Sequence, residues 1–134
     1  MAKNAISLKP KYEIRGSAAL NFICSDIISF SNKIDNIDYI IHGASTSNKD
    51  TVTKSPKYTL ETILIGTKNI LEFAKDQKNL KSLLIISSGA IYGANKHSNK
   101  PISENDYHDL DLNDNFSSYS LGKKTAELYS LNYM

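Results

Sequence analysis

The segment that decides the fold is Lys81-Ser-Leu-Leu-Ile-Ile-Ser-Ser-Gly-Ala-Ile-Tyr-Gly93. Its run from Leu83 to Ile86 is short, apolar and unbroken, which is typical of a parallel strand that is buried on both faces. Ligands of open α/β sheets bind beyond the carboxyl ends of the strands, so the hydroxyls of Ser87 and Ser88 fall where chemistry takes place. A plain strand-ending turn is the alternative interpretation of Ser-Ser-Gly.

A second informative segment is Tyr119-Ser-Leu-Gly-Lys123, near the end of the chain. Residues four apart stack on one face of a helix, so the phenol of Tyr119 and the ammonium of Lys123 are predicted to be neighbours. A free tyrosine titrates near pH 10, and a fixed cation can supply much of the stabilisation that a tyrosine base needs at neutral pH. Two solvated helix positions are the alternative.

Apolar residues recur at helical spacing in two segments. From Leu60 to Ala74 they fall at i, i+3, i+4 and i+7, which predicts an amphipathic helix over residues 58–75. A second helix is predicted from residue 118 to residue 134, with Gly122 as a mild weakness.

Length and composition predict one domain over residues 1–134, with 40% hydrophobic and 22% charged residues. Residues 1–19 are predicted to be an irregular start. Residues 94–117 have the composition of a loop and are predicted to form the active-site loop. The net charge is +2 and the charges are interspersed, so no nucleic-acid partner is indicated.

The single cysteine, Cys24, lies in an apolar segment and is predicted to be a buried thiol in a reducing compartment. No apolar run approaches the roughly 20 residues that cross a bilayer, and the start carries no signal region, so a cytoplasmic location is expected. The histidines His42, His97 and His108 have no partners at ligand spacing, and no metal site is predicted.

In their order along the chain, these segments resemble the extended branch of the short-chain dehydrogenase/reductase superfamily, the NAD-dependent epimerase/dehydratase family, which acts on nucleotide sugars. The resemblance implies a partial Rossmann-type, doubly wound parallel sheet. The segments that carry it are Phe22-Ile-Cys-Ser-Asp-Ile27 as the third strand, Asp38-Tyr-Ile-Ile-His-Gly-Ala-Ser45 as the fourth strand, Glu61-Thr-Ile-Leu-Ile-Gly-Thr-Lys-Asn-Ile-Leu-Glu-Phe-Ala74, Ser87-Ser-Gly-Ala-Ile-Tyr-Gly93, Pro101-Ile-Ser-Glu104 and the Tyr119/Lys123 pair.

The resemblance also implies a role for particular residues. Tyr119 is the base on a sugar hydroxyl, Lys123 assists it and holds the nicotinamide ribose, and Ser88 orients the same hydroxyl. The residues implied to contact NAD or NADP are Asp26, Ile27, Gly43, Ala44, Ser45, Tyr119 and Lys123.

Several features depart from the family pattern. No Gly-x-x-Gly-x-x-Gly turn for the pyrophosphate is found in the sequence, so the chain looks like a middle fragment that lacks this turn and the C-terminal substrate region. We therefore expect the isolated chain to bind NAD poorly. Gly89 and Ala90 stand where dehydratases carry a carboxylate, which favours an epimerase or reductase. Ile63 stands where many relatives carry an asparagine near the cofactor.

Two functional hypotheses remain open, and an unrelated α/β binding protein is a third. The first is an NAD-dependent enzyme segment, and the second is a non-catalytic remnant or interaction module. In the Rossmann strand order the first two strands lie between the Phe22 strand and the strand at Tyr39, and both are missing, so the strand at Tyr39 is expected to expose one unpaired edge. Because helices 58–75 and 118–134 match a pair that joins two subunits in the resembling enzymes, a homodimer is expected.

Overall fold

The computed structural model describes residues 21, 23–31, 34–93, 101–106 and 109–133. Two strands and three α-helices lie in these residues: β1 (Tyr39–His42), α1 (Lys49–Lys54), α2 (Pro56–Lys75), β2 (Ser82–Ile85) and α3 (Ser117–Leu131). A first 3₁₀ helix (Ile27–Ser29) precedes β1, and a second 3₁₀ helix (Gly89–Tyr92) follows β2. The predicted irregular start at residues 1–19, with Phe22, His97 and His108, lies outside the described residues.

The two strands pair in parallel, which confirms the predicted α/β fold. Tyr39 is opposite Ser82 and His42 is opposite Ile85. The ladder continues past the carboxyl end of β2, where the Ile86 N–H donates to the carbonyl of His42, the last residue of β1, at 3.0 Å. In the part of the chain that the structure describes, β1 pairs with β2 alone.

The helices cover one face of this sheet and leave the other open. His42 points to the covered face and is buried. On the opposite face the side chains of Tyr39, Ile41, Leu84 and Ile86 are 66%, 71%, 55% and 48% exposed. A parallel sheet normally has both faces covered, so these four side chains form an apolar surface that the helices of the described residues leave uncovered. The Lys81 ammonium lies 5.7 Å from the centre of the Tyr39 ring.

The central helix α2 extends the predicted helix by two residues, because Pro56 fits the first turn of a helix, where its missing N–H is not needed. Its buried stripe includes Ile63, Gly66, Ile70 and Leu71, at the predicted spacing. The helix packs against α3. The second predicted helix, 118–134, is observed as Ser117–Leu131, so it begins one residue earlier and ends at Leu131. The α/β arrangement is thus built around the α2–α3 contact.

Gly122 has a packing role at this contact. A methyl group placed there would lie 3.1 Å from Ile63 Cδ1 and 3.3 Å from Leu60 Cδ1. The glycine therefore lets α3 approach α2 closely. Glycine is a poor helix former, which is the mild weakness predicted at this position. Close packing against Ile63, which is 1% exposed, offsets that cost.

The predicted third strand, Phe22 to Ile27, is wrong. Residues 23–26 form no strand, and Asp26 Oδ1 accepts the Ile28 N–H at 2.9 Å to cap the first 3₁₀ helix. Asn69 of α2 holds that helix with two hydrogen bonds of 2.8 Å, to the carbonyls of Ile27 and Ile28. A strand needs a neighbouring strand to pair its backbone groups, and no strand of the described residues lies beside residues 23–26.

Two further predictions change. The thiol of Cys24 is exposed, because the segment around it is not a buried strand. The loop predicted at residues 94–117 ends one residue earlier, since α3 begins at Ser117. Asp114 Oδ1 accepts the Phe116 N–H at 2.9 Å just before that helix, and residues 101–106 and 109–116 contain no α-helix or strand.

Candidate functional site

The carboxyl end of β2 carries the first candidate residue, Ser88. Its backbone is extended and its Oγ accepts the Ala90 N–H at 3.2 Å, so it caps the second 3₁₀ helix. The side chain is half-buried. Ser88 therefore lies in a turn after β2, as the alternative interpretation predicts. This turn is also beyond the carboxyl end of the strand, where open α/β sheets bind their ligands.

Lys123 is tied directly to this edge. Its ammonium donates a hydrogen bond of 2.8 Å to the carbonyl of Ile86, two residues before Ser88. The residue is 7% exposed, and burial lowers the pKa of its ammonium. A buried charge is costly, which makes Lys123 a candidate functional residue.

Tyr119 lies one turn before Lys123 on α3 and is half-buried. Its ring is tilted by 41° against the ring of Phe116, with the centroids 5.7 Å apart. The same end of α3 faces the second 3₁₀ helix, since Ala90 and Gly93 line a small cavity with Ser117 and Ser120. The structure thus brings the helix that carries Tyr119 and Lys123 against the segment that begins at Ser88.

The segment after β1 holds the candidate cofactor residues Gly43, Ala44 and Ser45. Gly43 and Ala44 are exposed, and a methyl group at Gly43 would lie 3.2 Å from Ile86 Cδ1. Ser45 Oγ is buried and has no hydrogen-bond partner among the described residues, and the same holds for Ser87 Oγ. Buried hydroxyls are normally hydrogen-bonded, so two unpaired ones at this edge fit a site that binds a polar ligand.

Asp26 and Ile27 occupy a different setting from the one the sequence predicts. They lie at the first 3₁₀ helix and not at the end of a strand. Ile27 packs its side chain on Gly66, where an added methyl group would lie 3.0 Å away. Asp26 is exposed and its Oδ1 caps the helix, so it keeps only part of its acceptor capacity for a ligand.

One polar pair at the site was not recognised in the sequence. His42 Nε2 lies 3.3 Å from Thr67 Oγ1, and both residues are buried. Burial lowers the pKa of His42, and the nearby charge of Lys123 lowers it further. The available signal was the position of His42 at the carboxyl end of a strand, directly before Gly43.

Metal binding and membrane insertion are the remaining features of the described ranges. In those ranges the structure groups no three His, Cys, Asp or Glu side chains in a way that could hold a metal ion. None of the helices there combines the length and the apolar character that a membrane span requires.

Comparison with known proteins agrees with this geometry. Residues 11–134 match the profile of the NAD-dependent epimerase/dehydratase family. The chain belongs to that family. It is also similar to a Schizosaccharomyces pombe protein described as an uncharacterized oxidoreductase, with 29% identity over 128 residues. That match covers 86% of this chain and 38% of the yeast protein, so the chain spans well under half the length of this relative.

Proposed function

We propose that this chain contributes the catalytic strand and helix of an NAD-dependent epimerase or reductase that acts on a nucleotide sugar. The observation that carries the proposal is the position of Lys123, which is buried and bonded to the carbonyl at the carboxyl end of β2. Tyr119 lies one turn away on the same helix, and Ser88 lies two residues beyond that carbonyl. A nearby cation favours the ionised form of a phenol, which is the form that a tyrosine base uses.

The proposed roles divide between proton transfer and orientation. Tyr119 Oη takes the proton from the sugar hydroxyl, and the ammonium of Lys123 stabilises the phenolate on which this depends. Ser88 Oγ orients the same hydroxyl. Bound NAD would accept a hydride from the carbon that bears it. Gly89 and Ala90 offer no carboxylate for elimination, which favours redox chemistry alone.

The residues proposed to hold NAD or NADP are those beside the carboxyl end of β1, with Lys123 at the nicotinamide ribose. The unpaired Ser45 hydroxyl supports this assignment, since it offers a buried hydrogen-bonding group at that edge. The exposed backbone of Gly43 and Ala44 allows close approach. Asp26 and Ile27 remain candidates for the adenine, now from the first 3₁₀ helix.

A non-catalytic interaction module is the second candidate, and two observations favour it. Ile63, where many relatives carry an asparagine near the cofactor, is packed in the interface of α2 with α3 at 1% exposure. The chain also lacks the glycine turn that binds a pyrophosphate. Both observations predict weak cofactor binding by this chain.

Titration with NAD distinguishes the two candidates. We expect millimolar NAD to shift the backbone NMR signals of Ala44, Ser45 and Lys123 in the labelled full chain. Lys123→Met should abolish these shifts, whereas the matched control Lys68→Met removes an exposed charge on α2 and should keep them. If millimolar NAD shifts none of the three signals, the interaction module is the better description. A low-micromolar dissociation constant by calorimetry would show that the expectation of weak binding is wrong.

A further inference from the structure

His42, Thr67 and Lys123 form a connected group beneath the proposed site. The imidazole of His42 is anchored by the Thr67 hydroxyl at 3.3 Å. The backbone carbonyl of His42 accepts the Ile86 N–H at 3.0 Å, and the carbonyl of Ile86 accepts the Lys123 ammonium at 2.8 Å. Through Ile86, the strand position of the histidine is therefore linked to that of the lysine.

The same two residues interact through charge. The ammonium of Lys123 lowers the pKa of His42, in addition to the larger effect of burial. Of the elements packed on the ring, α3 presents the charge of Lys123, α2 presents the Thr67 hydroxyl, and β2 presents the apolar side chain of Ile85 opposite His42. A proton on the imidazole would place two positive charges together in a poorly solvated space, which is unfavourable.

We propose that His42 is a positioning residue for Lys123: the uncharged imidazole, anchored on Thr67, allows the ammonium to rest on the Ile86 carbonyl, and protonation of the ring displaces it. The use of Lys123 in catalysis rests on the proposed function, but the linkage itself does not. The position of Lys123 then depends on pH through a buried residue to which the proposed function assigns no contact with substrate or cofactor. Acidification would withdraw the cation from the tyrosine that needs it.

The direct test follows both side chains by NMR in the labelled full chain as the pH is lowered. We expect the His42 ring to titrate below the ordinary histidine range and the Lys123 ε-methylene signal to shift through the same transition. His42→Gln should remove that transition from the lysine signal while circular dichroism reports an unchanged fold. A lysine signal that stays flat while the wild-type ring titrates would overturn the proposal.

A reciprocal variant keeps the test decisive if His42→Gln does not fold. Lys123→Met removes the charge that acts on the ring, so the midpoint of His42 should move upward. The control Lys68→Met removes an equal charge from an exposed position next to Thr67 and should leave the midpoint unchanged. Equal midpoints in wild type and Lys123→Met would refute the linkage.

These measurements need no cofactor, so their outcome does not depend on whether the proposed function is correct. If NAD does not bind but Lys123 follows the titration of His42, the positioning role stands and the catalytic assignment falls. If NAD binds at Ala44 and Lys123 but the lysine ignores His42, the catalytic assignment stands and the positioning role falls.

Discussion

The contact of α3 with α2 at Gly122 makes a quantitative prediction, through the change Gly122→Ala. Alanine is the better helix former by about 1 kcal/mol, which taken alone would stabilise the chain. Its methyl group would, however, lie 3.1 Å from Ile63 Cδ1, closer than ordinary contact. Ile63 is buried and β-branched, so its side chain has little freedom to move, and overpacking of this kind costs roughly 1–3 kcal/mol.

The expected net effect is a loss of about 1 kcal/mol in the free energy of unfolding, or roughly 3 °C in melting temperature for a chain of this size. Chemical unfolding followed by circular dichroism measures it. Gly89→Ala is the matched control, because a methyl group there meets nothing within 4 Å and should change stability by less than about 0.5 kcal/mol.

A double-mutant cycle identifies the cause. Ile63→Val removes the Cδ1 atom that the new methyl group would meet, and on its own should cost about 1 kcal/mol. With that atom gone, Gly122→Ala should be neutral or stabilising, which leaves a coupling of about 1 kcal/mol or more between the two changes. Additive effects, or a Gly122→Ala chain that is simply more stable, would show that the helices are not in close contact here. Because Lys123 is the next residue, the same displacement should also weaken its bond to Ile86.

Three further predictions concern the site and its assembly. In a preparation with measurable activity, Tyr119→Phe should remove nearly all turnover and Ser88→Ala should cost less, because the phenol accepts the proton and the serine only orients; full turnover by Tyr119→Phe would exclude it as the base. The pKa of His42 in the folded chain is lowered from its unfolded value near 6.5. The contribution of the neutral ring to stability is therefore complete above about pH 6.5 and is lost as the pH falls toward the folded pKa, so acid unfolding should begin at higher pH in wild type than in His42→Gln. We also propose that α2 and α3 join two copies in a homodimer, with Leu128 and Leu131, 62% and 77% exposed, among the contacts; sedimentation at several micromolar should show a species above the 14.9 kDa chain mass, and a mass that stays at that value at every concentration would rule the dimer out.

The elements that could be predicted from the sequence are those whose pattern is local. The helical spacing of Ile63, Ile70 and Leu71 defines α2 regardless of what surrounds it, and the unbroken run before Ser87 marks β2. The short helix α1 carried no such pattern. It depends on the Asn48 side chain, which accepts the Thr51 N–H at 3.2 Å, and an N-cap before only six residues is a weak signal.

The predictions that failed depend on contacts between distant parts of the chain. The segment before Ile27 has the composition of a strand, but composition cannot tell whether a neighbouring strand will be present. Here the chain forms a 3₁₀ helix from Ile27, and Asn69, more than forty residues away, bonds the carbonyls of Ile27 and Ile28. The pairing of His42 with Thr67 also joins distant positions, 25 residues apart. Tyr119 and Lys123 could be recognised because their spacing on one helix is local.

The open face of the sheet also bears on the lifetime of the chain in a cell. Tyr39 and Ile41 present apolar side chains to water on a surface that a parallel sheet normally keeps covered. Chaperones and proteases act on exposed apolar surface, so copies of the chain that display this face are candidates for retention or degradation. Cellular abundance, and with it any measured phenotype, would then depend on how quickly this face becomes covered after synthesis.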